Sequence, residues 1–111
     1  MLTKDIDSLT NIIEAIGKIE SYIFQLKSAE ELFNDPKTFD AVLMNIIVIG
    51  EMSAKISDEF KINNPEIEWW KIKGLRNIVA HDYFGVDAEE IWQITQNKIP
   101  NLKLFIQKII K

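Results

Sequence analysis

The only arginine and the only histidine of the chain fall within one eight-residue stretch, Arg76-Asn77-Ile78-Val79-Ala80-His81-Asp82-Tyr83. Histidine is the side chain best suited to take up and release a proton near neutral pH. Arginine presents a planar fork of donors that matches phosphate oxygens. The two together are a minimal set for metal-free cleavage of an RNA phosphodiester. The imidazole would deprotonate the 2′-hydroxyl or protonate the leaving oxygen, and the guanidinium would hold the negative charge that develops on phosphorus. The same residues also admit a purely structural reading. His81 would then be a cation at the negative end of a helix dipole, and Arg76 would pair with Asp82 or Glu51.

Spacing limits how the pair can act. On an ideal helix Arg76 and Tyr83 share a face, whereas His81 lies about 140° round from Arg76. Convergence of the three requires the helix to end or tighten near Asp82, and Tyr83-Phe84-Gly85-Val86 reads as a turn. Acid–base cleavage needs one group to accept a proton and another to give one. With one histidine per chain, a twofold homodimer is expected, placing two copies of His81 and Arg76 in one cleft. Asn77 and Asp82 flank the pair as supporting residues. Lys71 and Lys73 are either phosphate contacts for RNA or part of a solvated helix face. Glu51 follows Gly50 inside an apolar helix, where an ionisable group is either exposed or paired, and Arg76 is the partner it would orient. Trp69, Trp70 and Trp92 read as core anchors rather than base-stacking platforms.

Composition narrows the class. A length of 111 residues fits one domain, residues 1–111, with enough chain to bury a core. Hydrophobic content of 47% and charged content of 27% are those of an ordinary globular protein. A net charge of −4 argues against broad, nonspecific coating of nucleic acid but leaves room for a local basic patch. With no cysteine, one histidine and scattered carboxylates, no metal site is expected. No glycine-rich phosphate loop is present, so nucleotide binding is the weakest reading, and no cofactor is called for. The N-terminus lacks signal-peptide character, and no apolar run reaches the roughly 20 residues of a membrane helix. A cytoplasmic protein is expected.

Helical periodicity accounts for the remainder of the chain. Leu9, Ile12, Ile13, Ile16, Ile19 and Ile23 recur at steps of three and four, predicting a helix over residues 5–27. Ser28 with Glu31 reads as a capping box for a short helix ending near Asn34. Asp35-Pro36 opens a long helix to about Phe60, apolar round most of its girth and therefore central or facing a partner. Asn63-Asn64-Pro65 breaks the chain. A further helix is predicted over residues 66–82, with Ile67, Trp70, Leu75, Ile78 and Val79 inward and Gly74 permitting close helix packing. Asp87 and Glu90 form another cap for a helix through about Lys98, and Pro100 starts or kinks the last stretch. The expected fold is all-α, an antiparallel four- to five-helix bundle.

These residues together resemble the HepT branch of the HEPN families. Residues 76–83 match its signature of arginine, four residues, histidine, one residue, tyrosine. Ile49-Gly50-Glu51, Asn64-Pro65-Glu66-Ile67-Glu68-Trp69, Tyr83-Phe84-Gly85-Val86-Asp87, Ile91-Trp92 and Pro100-Asn101-Leu102 resemble its flanking segments, so the similarity covers nearly the whole chain. The resemblance implies a dimeric helical bundle that is the RNA-cleaving toxin of a prokaryotic toxin–antitoxin pair, with Arg76 and His81 catalytic. It also implies a partner, a minimal nucleotidyltransferase antitoxin that can silence the toxin by adding AMP to Tyr83. A bulky anion there would occupy the charge meant for RNA phosphate. The alternative is a noncatalytic helical module that only holds such a nucleotidyltransferase.

Overall fold

Four helix starts fall where the side-chain oxygen of Ser28, Asp35, Ser57 or Asp87 accepts from a free backbone N–H. The computed structural model describes residues 1–85 and 87–110, with residues 82–85 described by backbone alone. In chain order the helices are α1 (Thr3–Ile23), α2 (Ala29–Phe33), α3 (Pro36–Ala54), α4 (Asp58–Asn63), α5 (Trp69–Lys73), α6 (Leu75–Gly85), α7 (Ala88–Gln93) and α8 (Ile99–Ile109), with a π-helical turn at Ile94–Lys98. All regular structure among the described residues is helical, as expected.

Three expected caps are formed. Ser28 Oγ accepts from the Glu31 N–H at 3.2 Å, although the Glu31 carboxylate returns its bond to Lys27 N–H rather than to Ser28. Asp35 accepts from Thr38 N–H at 3.2 Å with Pro36 in the first turn. Asp87 accepts from Glu90 N–H at 3.0 Å.

α1 and α3 are the central pair, antiparallel because the start of α1 meets the end of α3: Asn11 reaches Met52, and Asp5 reaches Ser57 just beyond α3. Leu9, Ile12, Ile16 and Ile19 of α1 and Val42, Leu43, Ile46 and Ile49 of α3 are buried between them. α5 and α6 pack on α3 and contribute Trp69, Ile72, Leu75 and Val79 to the same core. α8 closes the other side, burying Leu102 and Ile106, and its Lys103 pairs with Glu20 at 3.0 Å.

The long helix expected to reach Phe60 ends at Ala54. Its last turn tightens, with Lys55 N–H donating to Met52 O and Ile56 N–H to Ser53 O. Ser57 then caps a new helix by accepting from Phe60 N–H. Buried Asp5 holds that cap in place, accepting from the Ser57 N–H at 2.8 Å and from its hydroxyl at 2.6 Å. The helix expected over 66–82 likewise starts later and is interrupted at Gly74. Starting at Trp69 puts that residue inside and leaves Trp70 outside, 71% exposed, contrary to the expected inward set. At the C-terminal end the π-helical turn carries the chain into α8, relieving the clash an α-helical Pro100 ring would make with the carbonyl four residues back.

Candidate active site

α3 lies so close to the junction of α5 and α6 at one point that a side chain larger than glycine's would be tightly pressed there. A Cβ on Gly50 would lie 3.3 Å from the Arg76 backbone nitrogen and 3.4 Å from the Lys73 carbonyl. Gly50, not Gly74, is therefore the close-packing glycine. A Cβ on Gly74 would meet only nearby carbonyls of its own chain, those of Trp70 and Lys71. The contact at Gly50 brings the next residue, Glu51, beside Arg76. Its carboxylate accepts from the guanidinium at 2.5 Å, and the two side chains are 44% and 40% exposed. Glu51, one of the two partners open to Arg76 in the sequence, pairs with it; the other, Asp82, has its side chain outside the described residues.

α6 runs unbroken from Leu75 to Gly85, so the turn expected at Tyr83-Phe84-Gly85 is absent over those residues; Val86 lies outside the described residues. The helix neither ends nor tightens at Asp82. His81 lies ahead of the last turn, so it does not cap the helix end. Continuous α-helix keeps His81 about 140° round from Arg76 and roughly 7 Å further along the axis. The arrangement is nonetheless usable. Leu75 and Val79 face inward, and Asn77, Ala80 and His81 are exposed. By helical register Ala80 and Asn77 fall between Arg76 and His81 on the outer surface. The pair thus borders a shelf whose floor is a methyl group and a carboxamide, open to a phosphate. The exposed His81 imidazole makes no hydrogen bond to a described side chain or backbone group, leaving it accessible to a substrate from the solvent side. The side chains of Asp82 and Tyr83 lie outside the described residues.

Lys71 is less available than the sequence suggests. Its ammonium is 3.1 Å from Glu68 and 5.4 Å from the centre of the Trp70 ring. Lys73 is exposed and has no carboxylate partner among the described residues. Trp69 is a core anchor, packed edge-on against Phe60 and Phe105, with its indole N–H donating to the Asn64 carbonyl at 3.1 Å. Trp92 is half-buried against the core. Among the described residues no three His, Cys, Asp or Glu side chains cluster as metal ligands, and no helix is long and apolar enough to cross a membrane.

Fold and site together define an all-helical protein with an arginine–histidine shelf on the outer face of one helix. A family model described as ribonuclease HepT-like matches residues 12–109. The chain is 37% identical over 105 residues to the probable ribonuclease HepT of Thermococcus cleftensis, covering 95% of this chain and 94% of that one. It is 34% identical over 112 residues to a protein of Methanocaldococcus jannaschii provisionally named an RNase, covering 100% of this chain and 92% of the relative. No solved structure gives a significant match. The chain belongs to the HepT-like ribonuclease family.

Proposed function

We propose that this protein is a metal-independent endoribonuclease whose chemistry is carried by Arg76 and His81. The observation that carries the reading is the shelf itself: within a ribonuclease family member, the single arginine and the single histidine border one open surface of α6. A base takes the proton of a ribose 2′-hydroxyl, that oxygen bonds to the adjacent phosphorus, and the bond from phosphorus to the 5′-oxygen breaks. An acid returns a proton to the leaving oxygen. Arg76, held by Glu51, meets the charge that builds on the non-bridging oxygens.

Base and acid are both needed and each protomer has one imidazole, so the working unit is a homodimer in which His81 of one protomer complements that of its partner. The outer stripe of α3 suits such contact. Met44 is 60% exposed, while Ile47, Val48 and Met52 are only half-buried, on the same helix as Glu51. In the cell the protein acts as the toxin of a toxin–antitoxin pair. A nucleotidyltransferase antitoxin silences it by transferring AMP from ATP to the Tyr83 phenol, with release of pyrophosphate; Tyr83 follows His81 by two positions in the sequence.

The test is cleavage of a single-stranded RNA by purified wild type, His81→Ala and Arg76→Ala, with light scattering to read the mass in solution. Wild type should cut as a dimer in the presence of chelator, and both variants should stay dimeric and cut at least a hundredfold more slowly. Undiminished cleavage by His81→Ala would remove the proposal. Incubation with the nucleotidyltransferase and ATP should add one AMP to the peptide bearing Tyr83, read by mass spectrometry, and should stop cleavage.

A further inference from the structure

Among the described residues, Trp70 is the most exposed large aromatic side chain after Phe24, at 71%. It lies on the element that leads directly into the catalytic helix. Gly74 N–H donates to the Trp70 carbonyl, and the Asn77 and Ile78 N–H groups donate to the Gly74 carbonyl. α5 and α6 are thus two helices that meet at Gly74, each hydrogen-bonded to it. Along the two, Trp69, Ile72, Leu75 and Val79 are buried, whereas Trp70, Lys73, Asn77 and His81 are exposed. At steps of three, four and four, the exposed set forms a single outward line that ends at the proposed catalytic imidazole. Were the two helices collinear, helical rise would put Trp70 roughly 16 Å from His81 along the axis, a span of a few nucleotides.

Trp70 also borders a cleft of about 460 Å³ whose wall includes Lys61, Pro65, Ile67 and Lys73. Lys71 is drawn over one face of the indole and neutralised by Glu68. Glu68 also lines the cleft, but its carboxylate is taken up by Lys71, and Lys61 and Lys73 have no carboxylate partner among the described residues, so the cleft carries a net positive charge beside the ring. An exposed indole with one face taken by Lys71 and the other left to a ligand, beside two such ammonium groups, has the chemistry of a single-strand subsite: bases stack on an aromatic face, and cations follow the backbone. A protein partner would have no particular need for that pairing of flat π-surface with positive charge.

We infer that Trp70, with Lys61 and Lys73, forms a substrate subsite that stacks an unpaired base of single-stranded RNA and guides the adjoining phosphates toward Arg76 and His81. The inference rests on the nuclease reading above for its substrate, and its test keeps the two apart. Binding of a fluorescein-labelled single-stranded RNA 12-mer is measured by anisotropy in a His81→Ala background, where the RNA stays whole. Adding Trp70→Ala should weaken binding roughly five- to a hundredfold, while Trp70→Phe should retain most of it. Lys61→Ala and Lys73→Ala should each weaken binding and lower the slope of log affinity against log salt by about 0.7. Binding of a blunt RNA duplex should not respond to Trp70→Ala, because paired bases offer no free face. With His81 intact, Trp70→Ala should raise KM and leave kcat near the wild-type value. If the Trp70→Ala protein, folded by circular dichroism, binds the 12-mer as its parent does, the subsite is overturned while wild-type cleavage still stands. A wild type that binds through Trp70 yet never cuts RNA would support the subsite and sink the nuclease reading.

Discussion

Replacing Asp5 should unsettle the fold more than any surface carboxylate, because this side chain is 1% exposed and its two oxygens hold Ser57 from 52 positions away. Bonds to a charged acceptor contribute about 1.5–3 kcal/mol each. Asp5→Ala removes two of them, at 2.8 and 2.6 Å, and leaves the Ser57 N–H and hydroxyl without that acceptor. Ser57 is half-buried, so water can reach it in part, and a net loss of about 2–4 kcal/mol is expected rather than the full sum. At roughly 4–8 °C per kcal/mol for a domain near this size, Tm should fall by about 10 °C or more. Asp5→Asn keeps an acceptor for the N–H and should lose about half as much. Urea titration of both variants and of Ser57→Ala, with the double mutant, should give a coupling of at least about 1 kcal/mol between Asp5 and Ser57. Cleavage measured well below Tm should stay near wild type, since neither residue touches the Arg76–His81 shelf. A loss under about 0.5 kcal/mol for Asp5→Ala, with unchanged m, would refute the claim that this contact anchors the junction of α3 and α4.

Other expectations follow from contacts near the site. Arg76→Lys keeps the charge but loses the planar fork, so kcat/KM should fall at least tenfold; the ion pair with Glu51 is half-exposed, so urea stability should change by less than about 1 kcal/mol. Gly50→Val would press side-chain carbons against the Arg76 and Lys73 backbone, 3.3–3.4 Å from where a Cβ begins; it should cost about 1–3 kcal/mol and slow cleavage beyond what stability explains, read by kcat/KM at a temperature where the variant is fully folded. Ser28→Ala should cost about 1 kcal/mol in thermal unfolding through loss of the α2 cap and leave cleavage unchanged.

Local chemistry made much of this chain readable from its residues. Three- and four-residue recurrence of isoleucine and leucine marked α1, and Ser28, Asp35 and Asp87 marked helix starts, because caps and faces depend on neighbours a few positions away. The two single residues suited to phosphodiester chemistry also stood out by type and spacing alone. Where a helix stopped was harder to read. Ser57-Asp58-Glu59 carries a start signal, an N-cap serine followed by acidic residues, but the unbroken apolar pattern through Phe60 masked it.

Only the folded chain decided which distant groups meet. Asp5 resembles any first-turn carboxylate until α1 and α3 pack antiparallel and bring Ser57 to it. Glu51 and Gly50 acquire their roles because α6 crosses α3 at that point, setting Arg76 beside a carboxylate and leaving only tight room for a Cβ. A start at Trp69 and a step at Gly74 choose which of two adjacent tryptophans faces water, since one residue of phase turns a helical side chain by about 100°. Residue types and short spacings therefore determined which helices form and what chemistry is on hand. Packing between helices, which joins residues tens of positions apart, decided the neighbours of that chemistry and the surface it faces.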